Sequence, residues 1–538
     1  MEKVRTLYII YLWYIMSLFV NIIAMVIRGI TMNIIESIDN YGMECGNKIA
    51  HIYRDNKLTY KELKEGSDAL AYYIIEQFKD DKTPIIVYGH KKSEMLISFL
   101  ACVKAGHAYV PIDSSLPDVR VRDIIEGCNA KLILSIENLN IPCEEITIKN
   151  LDEINYIFKQ YAGKISNYNY MVKLEEPYYI IYTSGSTGKP KGVQITLSNL
   201  QSFIKWGLSI CNLDKDRNYV FMNQAPFSFD LSVMDLYLSL ASGSTLFSID
   251  KAMISNTSEL FEYFNKSDIN IWVSTPSFAE MCLTDSSFNS NLLPNVKTFL
   301  FCGETLSNAC VERLKERFKE AKIYNTYGPT ETTVAITSIE VDNEILKINP
   351  LPVGKVKDDC IINIIDSNGR KLTEGEKGEI VIGGDSVSIG YYKNEDMTAK
   401  SFSKTMINGV EKRCYRTGDK GYLKDGLLYY CGRIDFQVKL NGFRIELEDI
   451  ENNLRKIDFI RNCAVLPVMR DEKIQYLTAV VTLNKEVNEK EFKIVMMIKS
   501  ELRKFIPDYM IPRKIVIKDN LPMTANGKVN RKLLMEEL

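Results

Sequence analysis

The chain has 538 residues, more than one ordinary core accommodates, so two or more domains are expected. Hydrophobic residues make up 46% and charged residues 25%, the balance of a folded globular protein, and a net charge of −2 removes the general electrostatic reason to expect a nucleic-acid partner. Three histidines and twelve cysteines without a C-x-x-C pair leave little material for a His-based metal centre, a Ser-His-Asp triad, a zinc module or a disulfide framework, and they point to a reducing compartment.

Residues 7–27 are apolar apart from Ser17, Asn21 and tyrosine hydroxyls. That is about the ~20 residues a membrane helix requires, and no small-residue cleavage site follows. An anchor holding a cytoplasmic domain would leave Lys3 and Arg5 outside and Arg28 inside, against the positive-inside tendency. Translation starting at Met32 is the competing reading, and membrane contact stays open between the two. Residues 1–31 are therefore set apart as a hydrophobic extension.

Beyond it the chain has an α/β rhythm. Residues 83–90 ("TPIIVYGH") and 131–136 ("KLILSI") read as buried strands, with a helical pattern over 94–106 leading to "AYVPID". Further strands are predicted at 178–183, 269–276, 296–304 and 321–329, with a helix near 307–318. Strands alternating with helices imply parallel sheets covered on both faces. Ligands on such sheets sit at the strands' C-terminal ends, where "TSGSTG", "CGE" and "NTYGPTE" fall. From about residue 376 short glycine-punctuated strands take over, and the last hundred residues form a compact mixed segment.

The chemistry is concentrated in a few stretches. In "YYIIYTSGSTGKPKG" (178–192) a buried strand breaks into hydroxyls, glycines and two lysines. Thr183, Ser184, Gly185, Ser186, Thr187 and Gly188 can bring many backbone N–H and hydroxyl donors together, and Lys189 and Lys191 add charge, so a phosphate chain is the natural guest. Pro190 follows Gly188-Lys189, so this is not a Walker A loop. "NTYGPTETTVA" (325–335) offers an aromatic ring for a flat base, a hydroxyl at Thr330 and a carboxylate at Glu331 suited to Mg²⁺. "YRTGDKGYLKDG" puts Asp419 in a turn where it could accept ribose hydroxyls. "GRIDFQVKLNGFRIELEDIE" (432–451) places Arg433 and Lys439 beside a short link before an amphipathic helix, and "TANGKVNRK" puts Lys528 after Asn-Gly. Singly, each has a plainer reading as a turn or a charged surface; their coexistence in this order does not.

Together these motifs resemble those of the adenylate-forming superfamily, over essentially residues 32–538. The resemblance implies a large N-terminal domain of parallel sheets with helices (32–433), and a small mobile α+β domain (434–538) that rotates about a hinge at Asp435 between two half-reactions. ATP and a carboxylate would give an acyl adenylate and pyrophosphate, and a thiol would then displace AMP. "PFSFDLSVMDLYLSLASGSTLF", "FLFCGETL" and "YGHKKSEMLISFLACVKAGHAYVPID" are similar to the members that load D-alanine on a carrier protein for teichoic acid D-alanylation. That implies a small, acidic, phosphopantetheinylated carrier as partner. The chain ends ten residues after Lys528, so the carrier is expected in trans. The alternatives are an adenylating enzyme for another small amino acid, a short-chain acyl-CoA synthetase, or a catalytically dead nucleotide-binding protein tethered to a membrane.

By position, the resemblance assigns Thr183, Ser184, Thr187 and Lys191 to the β- and γ-phosphates. Tyr327 would stack on adenine and Asn325 would meet its edge, with Thr326, Gly328, Pro329, Tyr430 and Gly432 completing the nucleotide site. Thr330 and Glu331 would hold the α-phosphate and Mg²⁺, and Asp419 and Arg433 the ribose. Asp230 would take the substrate ammonium, while Cys302 and Val334 shape the side-chain space. Lys528 would be the catalytic lysine, reaching both carboxylate and α-phosphate.

Overall fold

The computed structural model describes residues 33–537 apart from 80, 144, 186–188, 215–216, 471–472, 485–486, 488 and 523–528. The hydrophobic extension, Thr187 and Lys528 lie outside the described residues. Among the described residues no helix is long and apolar enough to cross a membrane.

Two sheets form the large domain. The first has six strands in the order Thr147–Asn150, Leu132–Ser135, Ile85–Gly89, Tyr109–Asp113, Pro177–Thr183 and Lys191–Thr196. The second has nine, running from Lys355–Val356 through Thr337–Glu340, Lys322–Tyr327, Thr298–Phe301, Ile271–Ser274, Val220–Asn223 and Thr245–Ser248 to Ile49–Tyr53 and Asn56–Thr59. Their central strands are parallel; both ends of the nine-stranded sheet and the Pro177–Thr183/Lys191–Thr196 end of the six-stranded one are antiparallel, while the other edge of the six-stranded sheet, Leu132–Ser135 with Thr147–Asn150, is parallel. Every residue of Ile85–Gly89 and Tyr109–Asp113 is buried, which is why both read as unbroken apolar runs. Some helices start where side chains satisfy their first N–H groups: Thr59 with Glu62, and Thr196 with Asn199, form capping boxes.

The largest core lies between the two sheets. There Phe99 stacks on Tyr109 at 4.3 Å, and the Tyr109 and Tyr237 hydroxyls meet at 2.8 Å. The glycine-punctuated region after residue 376 belongs to a five-stranded antiparallel sheet.

The smaller C-terminal domain has its own core, built on the sheet of Ile460–Arg470, Lys473–Leu483 and Lys514–Ile517 with helices Leu447–Leu454 and Glu491–Leu502. Ahead of it the expected short link is instead a hairpin, Gln437–Leu440 paired with Phe443–Glu446. Asn441 and Gly442 turn it, with φ of 51° and 81°. Asn-Gly is the pair that accepts two consecutive positive φ values, which makes a two-residue hairpin the stable outcome.

Candidate active site

The C-terminal ends of the parallel strands meet the hairpin in one cleft. Strand Lys322–Tyr327 delivers Asn325, whose amide donates to the Pro352 carbonyl at 2.9 Å, and Thr326, whose hydroxyl donates to Phe301 O at 2.8 Å. The Tyr327 hydroxyl donates to Asp419 Oδ2 at 2.6 Å, and Arg433 donates to Asp419 Oδ1 at 2.9 Å, so three residues assigned to the nucleotide form one cluster about the buried Tyr327 and Asp419. After Gly328 the chain runs against residues 334–335 so tightly that a Cβ would sit 2.6 Å from the Ala335 Cα. Pro329 then opens the turn Thr330–Thr332, and Thr333 and Val334 follow at φ of 59° and 66°. Left-handed backbone costs a non-glycine residue roughly 1–2 kcal/mol. Here it is held by Thr333 Oγ1 donating to Ser386 O at 2.8 Å, and it places Val334 O 3.7 Å from Cys302 Sγ.

Two adjoining cavities result. One, of about 60 Å³, is walled by Asp230, Cys302, Val334, Thr330 and the hairpin. The other, of about 300 Å³, is walled by Asn325, Thr326, Tyr327, Tyr430, Gly432 and Asp435, and shares Gly303, Gly328, Arg433 and Lys439 with the first. At the phosphate-loop side Thr183 Oγ1 is buried without a partner among the described residues, a donor available for a ligand. Ser184 Oγ donates to Arg444 O at 2.9 Å.

Arg444, which the sequence reading gave no role, reaches from the hairpin to Glu331. Its Nη1 lies 2.6 Å from Glu331 Oε2, while Oε1 accepts from the Tyr391 hydroxyl at 2.8 Å and lies 3.4 Å from Lys191 Nζ. Burial alone would raise the Glu331 carboxyl, but Arg444 and then Lys191 outweigh it and hold it well below the usual carboxylate range. Burial, and next the Arg444 charge, lower the Lys191 ammonium. Burial pushes the Asp230 carboxyl up, and among the described residues Asp230 has no ion-pair partner. Phe443 at the hairpin meets Phe229 edge-on at 4.7 Å and closes the small cavity. Lys439 lies 5.7 Å from the Tyr327 ring centroid. The signal for this missed layer was the Asn441-Gly442 turn between alternating residues. Arg433 also pairs with Asp435, the expected hinge.

Glu331 fits a Mg²⁺ that takes one carboxylate and completes its shell with substrate phosphates and water. Both carboxylate oxygens are engaged in this arrangement, so a cation there requires Arg444 to withdraw.

Residues 38–392 match the model of the AMP-binding enzyme family, and residues 449–528 match that of the AMP-binding enzyme C-terminal domain. Curated relatives named D-alanine–D-alanyl carrier protein ligase from Bacillus cereus (strain AH187) and Bacillus cytotoxicus are each 51% identical over 508 residues, 94% of this chain and 100% of theirs. The fold is shared with a solved nonribosomal peptide synthetase protein containing adenylation and PCP domains, bound to a vinylsulfonamide inhibitor. Its TM-score is 0.79 at 24% identity, covering 94% of this chain and 84% of that one. With the motifs, the cleft and these matches in agreement, the chain belongs to the AMP-binding enzyme family.

Proposed function

We propose that the chain activates D-alanine with ATP as an acyl adenylate and passes it to the phosphopantetheine thiol of a small acidic carrier protein, drawing ATP from the cytoplasm. The carrying observation is Asp230: a carboxylate with raised pKa and no ion-pair partner among the described residues, on the wall of a cavity of about 60 Å³. A substrate ammonium would pair with it, whereas an acyl-CoA substrate would leave the carboxylate with the Thr330 hydroxyl and no counter-charge in the cavity. The small volume suits a methyl side chain between Cys302 and Val334, and the 51% identical relatives support D-alanine as the amino acid.

In this reading Tyr327, Tyr430 and Asn325 enclose the base in the larger cavity, and Asp419 with Arg433 holds the ribose. Thr183, Ser184, Thr187 and Lys191 take the phosphates. Glu331 with Thr330 would hold Mg²⁺, which when bound neutralises phosphate charge. Lys528 would steady the carboxylate and α-phosphate oxygens as charge develops on them. Arg444 takes over Glu331 once the phosphate end has emptied, so the described arrangement corresponds to the thiol-transfer stage. The small domain, taken from residue 434, pivots at Asp435 between the stages.

The deciding experiment is ATP–pyrophosphate exchange with a panel of D- and L-amino acids and short carboxylic acids. D-alanine should give the highest kcat/KM. Faster exchange with acetate or propionate than with any amino acid would overturn the assignment of Asp230.

A further inference from the structure

Lys91 lies between strand Ile85–Gly89 and helix Ser93–Lys104 and has left-handed backbone, φ 54°. Its side chain crosses from the six-stranded sheet to the nine-stranded one and is 1% exposed. The ammonium donates to Asn223 Oδ1 at 2.5 Å, Ala225 O at 2.5 Å and Gln224 O at 3.3 Å, and lies 5.0 Å from the Phe227 ring centroid. Three donors therefore meet three neutral acceptors, and among the described residues no carboxylate is within ion-pair distance. Burying an ammonium on neutral acceptors without a counter-charge is costly even when all three donors are used.

What it touches is the start of the substrate loop. Asn223 ends strand Val220–Asn223, Gln224 and Ala225 line the small cavity, and the loop finishes at Asp230, the N-cap of helix Leu231–Ala241. We propose that Lys91 is a positioning residue for the amino-acid substrate: its ammonium ties residues 223–225 to the six-stranded sheet and so fixes where Asp230 meets the substrate ammonium. This rests on the amino-acid-activating reading of the site.

The charged groups around Lys91 act on it only at a distance and form no ion pair with it. Burial lowers its ammonium to about 7 against the opposing pull of Asp235, Asp113 and Asp250. Asp235 accepts from Asn223 at 2.8 Å, and burial pushes its carboxyl well up, toward the neutral form. Asp113 is engaged by His90 and Asp250 by Arg54 and Tyr53. His51, bonded to Ser93 and Ser248, is pushed down to about 3 by burial and then by Lys91, and stays neutral.

A lysine with a depressed folded-state pKa costs stability in full below about 7, and the cost fades as pH rises from there toward the ordinary 10.5. Deprotonation also removes one of the three donors, so the loop loosens over that same rise. Stability and substrate positioning thus move in opposite directions with pH, which a purely structural lysine would not produce.

Lys91→Met keeps the length without the charge. Asn223 Oδ1 still accepts from Ser248, and Ala225 O from Asn223 Nδ2, so the variant should fold. Exchange kinetics and thermal unfolding of the full chain decide the matter. At about pH 6.5 Lys91→Met should raise the D-alanine KM roughly tenfold or more, leave the ATP KM within about twofold, and unfold at the same or a higher temperature. Raising the pH to about 8.5 should shrink the KM difference from the unsubstituted protein as its own ammonium titrates. Lys91→Gln, which keeps neutral donors, should recover part of the KM without the pH response. An unchanged D-alanine KM in both variants, or D-alanine and ATP KM rising together, overturns the inference. If another amino acid supports exchange and D-alanine does not, the D-alanine reading fails, while the same comparison with that amino acid still decides Lys91.

Discussion

Arg444→Met tests the exchange of partners at Glu331. The guanidinium lies 2.6 Å from a carboxylate with no exposed surface, and breaking a buried pair typically costs about 3–5 kcal/mol. Lys191 at 3.4 Å and the Tyr391 hydroxyl at 2.8 Å remain to hold the carboxylate, so the loss should fall lower, at about 2 kcal/mol, or roughly 30-fold in the population of the docked hairpin. The loss belongs to one domain arrangement, because Arg444 comes from the hairpin and Glu331 from the large domain. Carrier loading from preformed adenylate should therefore slow by that factor in single-turnover measurements. ATP–pyrophosphate exchange should persist, at a Mg²⁺ requirement equal to or lower than before, since the cation no longer competes with an arginine. Equal loss of exchange and loading with an unchanged Mg²⁺ requirement would refute the reasoning and make Arg444 a plain structural contact.

Lys528→Ala should lower adenylation by ~10²–10³ while transfer from a preformed adenylate stays largely intact, as expected for loss of one preorganised donor; unchanged single-turnover adenylation would remove the lysine from the chemistry. Asp435→Pro fixes φ near −65° and also removes the carboxylate that pairs with Arg433, so exchange should survive and loading fail; equal loss of both would exclude a pure hinge. Cys302→Gly opens the space beside Val334 and should raise L-alanine activation more than it lowers that of D-alanine. A steric misfit of ~1–3 kcal/mol corresponds to roughly five- to over a hundred-fold in the D-to-L ratio of kcat/KM, and an unchanged ratio would return Cys302 to the core.

How far the sequence could be read follows from the range of the interactions involved. Residues 83–90, 131–136 and 296–304 read as strands because strands covered on both faces are largely apolar runs, and each contains one: Ile85–Gly89, Leu132–Ser135 and Thr298–Phe301; the stretch 321–329 holds Lys322–Tyr327, whose buried end carries the polar Asn325 and Thr326. Their polar ends marked the cleft for the same reason, since a hydroxyl- or carboxylate-rich break after a buried strand has few other places to go. Arg444 was not legible. Its meaning depends on a carboxylate 113 residues away and on how one domain docks on another, and "FRIE" alone reads as a charged strand. Lys91 was hidden in the same way, because a lysine before a helix is normally solvated and its three acceptors lie 132 to 134 residues on.

Thr333 and Val334 show a different kind of failure. Local propensity assigns β-branched residues to extended backbone and reserves positive φ for glycine or asparagine, yet both are left-handed at the edge of the small cavity. The surrounding structure overrides propensity there: Ser386 holds the Thr333 hydroxyl, Gly328 leaves room for Ala335, and the Val334 carbonyl is turned toward Cys302. A glycine at 334 would relieve the strain but lose the side chain that walls the small cavity. The conflict between local preference and observed backbone thus falls where a fixed wall is needed, the place such conflicts are expected when a site rather than the fold sets the residue.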